Sequence, residues 1–451
     1  MTGRWLFGQV VCWVVISGSG VAWTVEPPLG PYEYEAKPDH DAFASFNPRK
    51  APEPGPLLLE EGDRLAICGD SITEQKMYSR LMEAYLTACV PQLKVTVRQY
   101  GWSGEKTNGF LHRMEKDCLT FSPTVATLAY GMNDSRYRPF DVTNGQWYED
   151  HYTAIVRSFR DQGTRVVVGS PGCAGKIASW VKSRSGNLEQ HNINLCALRD
   201  IAMRVAEREE VRFADIFWPM YQAQVLAPET HHATEVEPYL VAGDDGIHPG
   251  WAGHVIMAWS MLRALGLDGD LGTMTIDLAA GTAETTGGHT VDSLKQGTLT
   301  LTSTQYPFCS RGDVDDDNSI RSGLTLVPFD EQLNRLVLRV KTPEVGMYRV
   351  TWGDQFQTFS AAELAEGINL AATFRDNPFS DAFEKVLEAV NQKQAYETEQ
   401  VKRAFHSDAA KKNFAAVVEE TEAKRQPLAE AVAASVVPVT HAISVERVAA
   451  K

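Results

Sequence analysis

The alternation of apolar runs with amphipathic stretches between residues 64 and 266 is the feature that most limits the fold. The apolar runs are short and rich in β-branched residues, and they cover residues 65–68, 95–97, 125–128, 166–168 and 211–214. Helical periodicity lies between them, over residues 77–88, 152–159 and 195–208. Strands that alternate with helices form a parallel sheet with helices on both faces. The sequence therefore predicts a three-layer α/β/α domain over residues 61–268, whose ligands bind beyond the carboxyl ends of the strands.

The sequence has a different texture on either side of this domain. Residues 23–60 are rich in proline and aromatic residues without periodicity, which predicts an extended N-terminal arm. Over residues 269–365, apolar side chains alternate with polar ones, as around Leu336, Leu338 and Val340, and this pattern predicts a small antiparallel β-rich unit. Residues 366–451 read as a helical C-terminal region that ends in a loosely attached helical tail.

The first 22 residues have the pattern of a signal peptide. Arg4 precedes an apolar stretch from Trp5 to Ile16, and small residues lead to a cleavage position after Ala22. We therefore expect an exported protein, periplasmic or extracellular, with no stable membrane insertion after cleavage; an uncleaved anchor is the alternative. Cleavage removes Cys12 and leaves an even number of cysteines, which are either disulfide partners or small buried side chains.

The charge balance argues against nucleic acid as a partner. The chain carries 43 Lys and Arg against 58 Asp and Glu, a formal charge of −15 at pH 7. Such a surface repels phosphate backbones, and no basic stripe interrupts it. Hydrophobic residues make up 43% of the chain, which is enough for a packed core.

Ser71 is the first residue with a chemical role to consider, because it lies between a predicted buried strand and a helix in the sequence Gly-Asp-Ser-Ile-Thr. There a serine is accessible to substrate, and the helix N-terminus offers free N–H groups to a developing oxyanion. The alternative is that Ser71 caps the helix. The motif alone does not decide between these interpretations.

Two further blocks follow the next strands. Gly104 ends a Gly-Trp-Ser-Gly sequence, where its backbone N–H is able to approach a substrate closely, and Asn133 has a side-chain N–H to donate to the same oxyanion. Each block alone also fits an ordinary turn. A last block places Asp245 three residues before His248, so that one short loop delivers a base and the carboxylate that orients it. A histidine held in a loop for structural reasons is the alternative for that block.

The four blocks in this order resemble the SGNH/GDSL hydrolase family, and the resemblance covers residues 63–266. It implies a flavodoxin-like α/β/α fold and a catalytic Ser71, His248 and Asp245. It also implies an oxyanion hole made by the N–H groups of Ser71 and Gly104 with the amide of Asn133. One departure is Tyr100-Gly101, where many members carry Asn shortly before the glycine. The rest of the chain resembles, loosely, the extra regions of multi-domain exported bacterial members.

The expected function is that of an exported serine carboxylesterase acting on a small-molecule or polysaccharide ester. Acetyl groups on a carbohydrate are the first candidate substrate. The alternatives are a lipid esterase of the lysophospholipase type and a non-catalytic polysaccharide-binding protein. We expect no cofactor and no metal. The acidic loop that begins at Asp313 lacks the glycine and the final glutamate of a Ca²⁺ loop, and His231 and His232 match no zinc spacing.

Overall fold

The computed structural model describes residues 32–181 and 185–448. A parallel sheet of five strands in the order β2-β1-β3-β4-β5 forms its centre. Helices cover both faces of this sheet, so the strands are apolar along their length rather than alternating. The strands are β1 (Arg64–Gly69), β2 (Thr96–Gln99), β3 (Val125–Ala129), β4 (Arg165–Gly169) and β5 (Arg212–Ala214).

Two apolar clusters fill the space between the sheet and its helices. Successive residues of β1 point to opposite faces, so that Leu65 and Ile67 belong to one cluster while Ala66 and Cys68 belong to the other. The predicted three-layer α/β/α fold is confirmed. The helices are α1 (Ser71–Glu74), α2 (Tyr78–Ala88), α3 (Thr107–Asp117), α4 (Val142–Arg160), α5 (Leu188–Arg208), α6 (Phe217–Thr230) and α7 (Trp251–Ala264).

Two more sheets follow α7. The first has the order β13-β10-β6-β7 and consists of β6 (Asp270–Asp277), β7 (Thr282–Thr285), β10 (Arg335–Val340) and β13 (Ile368–Asn369). The second is antiparallel in the order β12-β11-β14-β9-β8, and it consists of β8 (His289–Lys295), β9 (Thr298–Ser303), β11 (Met347–Trp352), β12 (Gln355–Ser360) and β14 (Val439–Arg447).

The remaining helices lie within and after these sheets. Two long helices, α12 and α14, pack against each other, and α12 also packs against α2 of the first domain. A π-helix over Gln400–Ala404 continues α12. The helices are α8 (Ile320–Gly323), α9 (Phe329–Leu333), α10 (Ala361–Glu366), α11 (Leu370–Thr373), α12 (Ser380–Glu399), α13 (Asp408–Lys412) and α14 (Phe414–Ala434).

The structure differs from the sequence-based expectation in two places after residue 268. The β-rich region is not purely antiparallel, because β6 and β10 pair in parallel. The end of the chain is not a loose helical tail, because β14 lies between β11 and β9 in the middle of the second sheet. Alternation of Val439, His441, Ile443 and Val445 supplies the buried face of that strand.

The N-terminal arm is anchored in the described part of the chain. A 3-10 helix spans Asp41–Phe43, and the rings of Phe43 and Phe46 are buried against Trp218 and Tyr221 of α6. The predicted signal peptide, residues 1–22, lies outside the described residues. Residues Tyr34–Lys451 form one compact unit, and the boundaries at residues 60, 268 and 365 stay predictions.

The cysteines of the described chain are small buried side chains and not disulfide partners. Cys68, Cys89, Cys118, Cys173, Cys196 and Cys309 are all buried free thiols. Within residues 32–181 and 185–448, we find no helix with both the length and the apolar character needed to span a bilayer.

Candidate active site

Three of the predicted site residues follow the carboxyl ends of the central strands, and Asp245 and His248 lie in the segment between α6 and α7. The strand order reverses between β1 and β3, because the chain runs from β1 to β2 on one side and returns to β3 on the other. Ligands of open parallel sheets bind in the crevice at such a reversal. Ser71 is separated from β1 by Asp70 alone, Asn133 lies in the turn after β3, and Gly104 lies in the loop after β2.

The structure resolves the two interpretations of Ser71. Asp70, not Ser71, is the N-cap of α1, and its carboxylate accepts a hydrogen bond of 3.0 Å from the backbone N–H of Ile72. Ser71 is the first helical residue, and its Oγ lies 2.7 Å from Nε2 of His248. The serine side chain is therefore directed at the histidine.

Asp245 holds His248 from the opposite side of the imidazole ring. Its Oδ2 lies 2.7 Å from Nδ1 of His248, while its Oδ1 accepts the backbone N–H groups of Ile247 and His248 at 2.8 Å each. Burial acts to raise the pKa of Asp245, but these hydrogen bonds hold the pKa below its ordinary value. An ionised carboxylate only accepts, so Nδ1 carries the proton and Nε2 accepts the Ser71 hydroxyl.

Asn133 contacts the chain neighbours of both Ser71 and Gly104. Its Nδ2 donates to Oδ2 of Asp70 at 3.2 Å and to the backbone carbonyl of Glu105 at 3.1 Å, and its Oδ1 accepts from the Tyr137 hydroxyl at 2.9 Å. These bonds use both amide hydrogens. To receive an oxyanion, the amide exchanges one of these two bonds for a bond to the substrate oxygen.

The loop that carries Gly104 is anchored on the residues before it. Trp102 N–H donates to the carbonyl of Gly69 at 3.1 Å, and Ser103 N–H donates to Oε2 of Glu74 at 2.5 Å. Gly104 has φ +72°, a conformation that favours glycine, and a Cβ there would meet open space. At Gly101 a Cβ would lie 2.2 Å from the backbone nitrogen of Glu74, so this close approach requires glycine.

Buried carboxyl groups surround the position of Asn133. Burial, with a contribution from Asp134 and Glu105, raises the pKa of Asp70 to about 7. Burial likewise raises the pKa of Asp134 to about 6, against hydrogen bonds from Thr107. Glu105 receives two bonds of 2.7 Å from the Arg113 guanidinium, which neutralise it. The site therefore contains two buried carboxyl groups, Asp70 and Asp134, whose pKa values are raised toward the neutral range.

An aromatic ring flanks the histidine on the solvent side. The rings of Trp180 and His248 are 5.7 Å apart between centroids, and 44% of Trp180 is exposed. The His248 side chain itself is 26% exposed, so the nucleophile and base are accessible to a ligand from solvent.

Sequence reasoning missed the residues that support the site. Glu105 and Asp134 directly follow Gly104 and Asn133, which is the one signal that pointed to them. Tyr137, Trp180 and Glu74 had none, because no periodicity predicts which side chains of a turn or of a one-turn helix contact the site.

The acidic loop and the histidine pair make contacts within the protein. Among the described residues no group of three or more His, Cys, Asp or Glu side chains is arranged to hold an ion. His231 Nδ1 lies 3.1 Å from Asp315, and Asp317 accepts the backbone N–H groups of Leu240 and Ala252 through its side chain and its carbonyl. The loop thus forms hydrogen bonds with the chain both before and after His248, at Leu240 and at Ala252.

A cavity of about 820 Å³ lies away from these residues, beside β2 and α14. None of Ser71, Gly104, Asn133, Asp245 and His248 lines it. The candidate active site is therefore identified by the hydrogen bonds among its side chains and not by the size of a cavity.

Residues 67–256 match the GDSL-like lipase/acylhydrolase family. An acetylxylan esterase of Geobacillus stearothermophilus is 25% identical over 232 residues, and the match covers 47% of this chain and 98% of that esterase. The structure is similar to that of a gut microbial diltiazem-metabolizing enzyme, with a TM-score of 0.68 and 21% identity over 87% of this chain and 100% of the other. This last likeness shows a shared fold.

A serine, a histidine and an aspartate form one line of hydrogen bonds at the carboxyl edge of the sheet, inside the segment that the family model matches. The chain is an ester-hydrolysing enzyme, and its residues 67–256 form an esterase domain of the SGNH/GDSL type.

Proposed function

We propose that this protein is an exported esterase that removes acetyl groups from a carbohydrate, with Ser71 as nucleophile, His248 as base and Asp245 as its orienting carboxylate. The observation that carries the catalytic assignment is the pair of 2.7 Å contacts that joins the three side chains. A hydroxyl in this setting loses its proton to Nε2 as it attacks, and the carboxylate stabilises the imidazolium that forms.

The reaction takes two steps. Ser71 Oγ bonds to the ester carbonyl carbon, its proton passes to His248, and collapse of the tetrahedral intermediate releases the alcohol, which takes that proton. The acyl group remains on Ser71. A water molecule then gives a proton to His248 and attacks the acyl carbonyl, which releases the acid and restores the serine hydroxyl.

The oxyanion is held by backbone N–H groups of Ser71 and Gly104 and by the amide of Asn133. The N–H of Ser71 is at the first position of α1, where helix geometry leaves it without an intrahelical acceptor. Open space at Gly104 gives the carbonyl oxygen room to approach. Donors fixed before the reaction stabilise the developing charge at little reorganisation cost.

Two observations support an acetylated carbohydrate as the substrate. A relative that matches this chain across the catalytic domain is an acetylxylan esterase. The exposed ring of Trp180 beside His248 offers a flat apolar face of the kind on which a sugar ring packs. Export is the expectation from residues 1–22, and it is tested by the mature N-terminus, which we expect at Trp23 in protein recovered outside the cytoplasm.

The catalytic assignment is tested by the matched pair Ser71→Ala and Ser103→Ala. We expect Ser71→Ala to lower kcat for p-nitrophenyl acetate by about 10³-fold or more, with the fold retained. Ser103→Ala leaves the backbone donor to Glu74 in place and is expected to stay within about threefold of the parent. Near-parental kcat in Ser71→Ala would refute the assignment.

The substrate is tested by a series of p-nitrophenyl esters from acetyl to octanoyl, run beside acetylated xylan and a lysophospholipid. We expect kcat/KM to fall as the acyl chain lengthens, and acetate to be released from the xylan. A rise with chain length, or the lysophospholipid as the best substrate, would overturn the carbohydrate proposal and leave the esterase mechanism intact.

A further inference from the structure

The C-terminal helical region contacts the active site through a partly buried ion pair. Nζ of Lys402, in the π-helix, donates to both carboxylate oxygens of Glu74 at 2.6 and 2.8 Å. The two side chains are 25% and 20% exposed, so the pair is partly shielded from water. Burial acts to raise the pKa of Glu74, but the bonds from Lys402 and Ser103 hold it below its ordinary value. The carboxylate is therefore charged when the enzyme works.

Glu74 links the two elements that carry Ser71 and Gly104, two of the three predicted oxyanion donors. It is the last residue of α1, the helix that begins with Ser71. Its Oε2 also accepts the N–H of Ser103, the residue before Gly104, at 2.5 Å. One carboxylate thus ties the nucleophile helix to the loop that presents the Gly104 N–H, and Lys402 supplies its counter-charge.

Residues 402–406 make further contacts with the same loop and the helix after it. Lys402 Nζ is 5.3 Å from the ring centroid of Trp102, and the His406 ring is 5.2 Å from that ring. His406 Nε2 lies 2.8 Å from Asp117, and Lys116 Nζ donates to the carbonyl of Phe405 at 2.6 Å. The contacts of Lys402 and His406 are thus with Trp102, two residues before Gly104.

The π-helix explains how this segment faces the loop. An α-helix turns about 100° per residue, so the residue that a π-turn inserts rotates everything after it by about that angle. The inserted residue lies within Gln400–Ala404, and Lys402 and the contacts at Phe405 and His406 lie there or directly beyond. π-Helical insertions are frequent at functional sites.

We infer that Lys402 is a positioning residue of the esterase site, which acts through Glu74 and the Ser103 N–H to fix the Gly104 N–H in its oxyanion-binding position. The inference rests on the proposed function. Gly104 has no side chain and borders open space, so its orientation is set by its neighbours. Without Lys402, Glu74 loses the ammonium group that hydrogen-bonds its carboxylate, and its hold on the loop weakens. An oxyanion donor contributes through preorganisation, so the loss falls on the transition state.

The test is Lys402→Met with Arg403→Met as the matched control. Arg403 lies in the same π-helix, but its guanidinium is 79% exposed and pairs with Glu399. We expect Lys402→Met to lower kcat about 10-fold with KM within about twofold, because removal of a whole donor costs about 10²–10³. Lys402→Arg keeps the charge and is expected to recover most of the loss, while Arg403→Met stays at the parental kcat.

Active-site titration with a fluorophosphonate separates positioning from misfolding. We expect the full number of titratable sites in Lys402→Met, each turning over more slowly. The double variant Glu74→Gln/Lys402→Met is expected to lose no more than the worse single variant, because both act on one link. Parental kcat in Lys402→Met, or a loss explained entirely by fewer titratable sites, would overturn the inference. If Ser71→Ala keeps its activity, the proposed function fails instead, so the two failures are distinguishable.

Discussion

Asn133 is the single residue whose role depends most on exchange of hydrogen bonds. In the free enzyme its amide donates to Asp70 and to the carbonyl of Glu105, so an incoming oxyanion competes with protein acceptors. We expect Asn133→Ala to lower kcat by roughly 10- to 100-fold, less than the full cost of an oxyanion donor, since two backbone donors remain. The measurement is steady-state kinetics on p-nitrophenyl acetate. A rise in KM with kcat unchanged would mean that Asn133 binds the ground state.

Asp70 makes the stability of the site depend on pH. Its pKa is raised to about 7 in the folded protein, against about 3.9 in an unfolded chain, so the folded state binds the proton more tightly. The sign follows from linkage: the stability that this group provides is complete below about pH 4 and is lost as the pH rises through about 7.

Substitution of Asp70 by Asn removes that dependence. The new amide faces the amide of Asn133, a cost that is the same at every pH, whereas the penalty for ionising the buried carboxyl disappears. We therefore expect the Tm of Asp70→Asn, relative to the parent, to be higher at pH 8 than at pH 5. An equal difference at the two pH values would contradict the assigned environment of Asp70.

At the scale of elements, side chains of α12 and α14, and not another strand, form hydrogen bonds with the free backbone groups of the edge strand β2. Lys393 of α12 donates to the carbonyl of Val97 at 2.7 Å, Arg425 of α14 donates to it at 3.1 Å, and Glu397 accepts the N–H of Gln99 at 3.2 Å. Unpaired edges invite pairing with other chains, and charged groups prevent it. The helices therefore protect the edge of the catalytic sheet.

Glu397 is the residue on which this closure depends, because it bonds Lys393 at 2.8 Å and Arg425 at 2.7 Å while fully buried. Loss of one partner of a buried ionic group typically costs about 3–5 kcal/mol. We expect Glu397→Gln to lower the free energy of unfolding by about that amount in urea titrations. Glu399→Gln, on the same helix at an exposed position, is the control and is expected to change little. Equal midpoints for the two variants would show that the cluster contributes no net stability.

The sequence predicts those site residues that belong to short motifs or that follow a recognisable strand. Asp245 and His248 are three residues apart on one loop, and the rule for parallel sheets places Ser71, Gly104 and Asn133 at one edge. The contact of Lys402 with Glu74 joins residues 328 positions apart. No periodicity or motif encodes such a pair, because it depends on where two separately folded segments come together.

At the scale of the whole molecule, the end of the chain completes a sheet that begins about 150 residues earlier. Ile443 of β14 pairs with Leu299 of β9 and with Trp352 of β11 and is fully buried. The sequence of β14 alternates apolar and polar residues, but the residues before it have a helical composition, and the sequence therefore predicted a helical tail. Strand pairing between residues so far apart in the chain has no local sequence signal. Because β14 is hydrogen-bonded to a strand on each side, it fixes the C-terminal end of the helical region that carries Lys402.

The contribution of β14 is measurable with one substitution. We expect Ile443→Ala to lower the free energy of unfolding by about 2–5 kcal/mol, the usual cost of removing such a side chain from a core. Glu446→Ala, at an exposed position of the same strand, is expected to change it by less than about 0.5 kcal/mol. A small effect at Ile443 would contradict a strand packed into the centre of the sheet.

The central claim is that Ser71 forms the covalent intermediate, and peptide mapping of the enzyme after reaction with a fluorophosphonate tests it most directly. The account predicts one adduct per chain, on the peptide that contains Ser71 and at that serine. An adduct on Ser103 or on any other residue, or an unmodified Ser71 in enzyme that the reagent has inactivated, would contradict it.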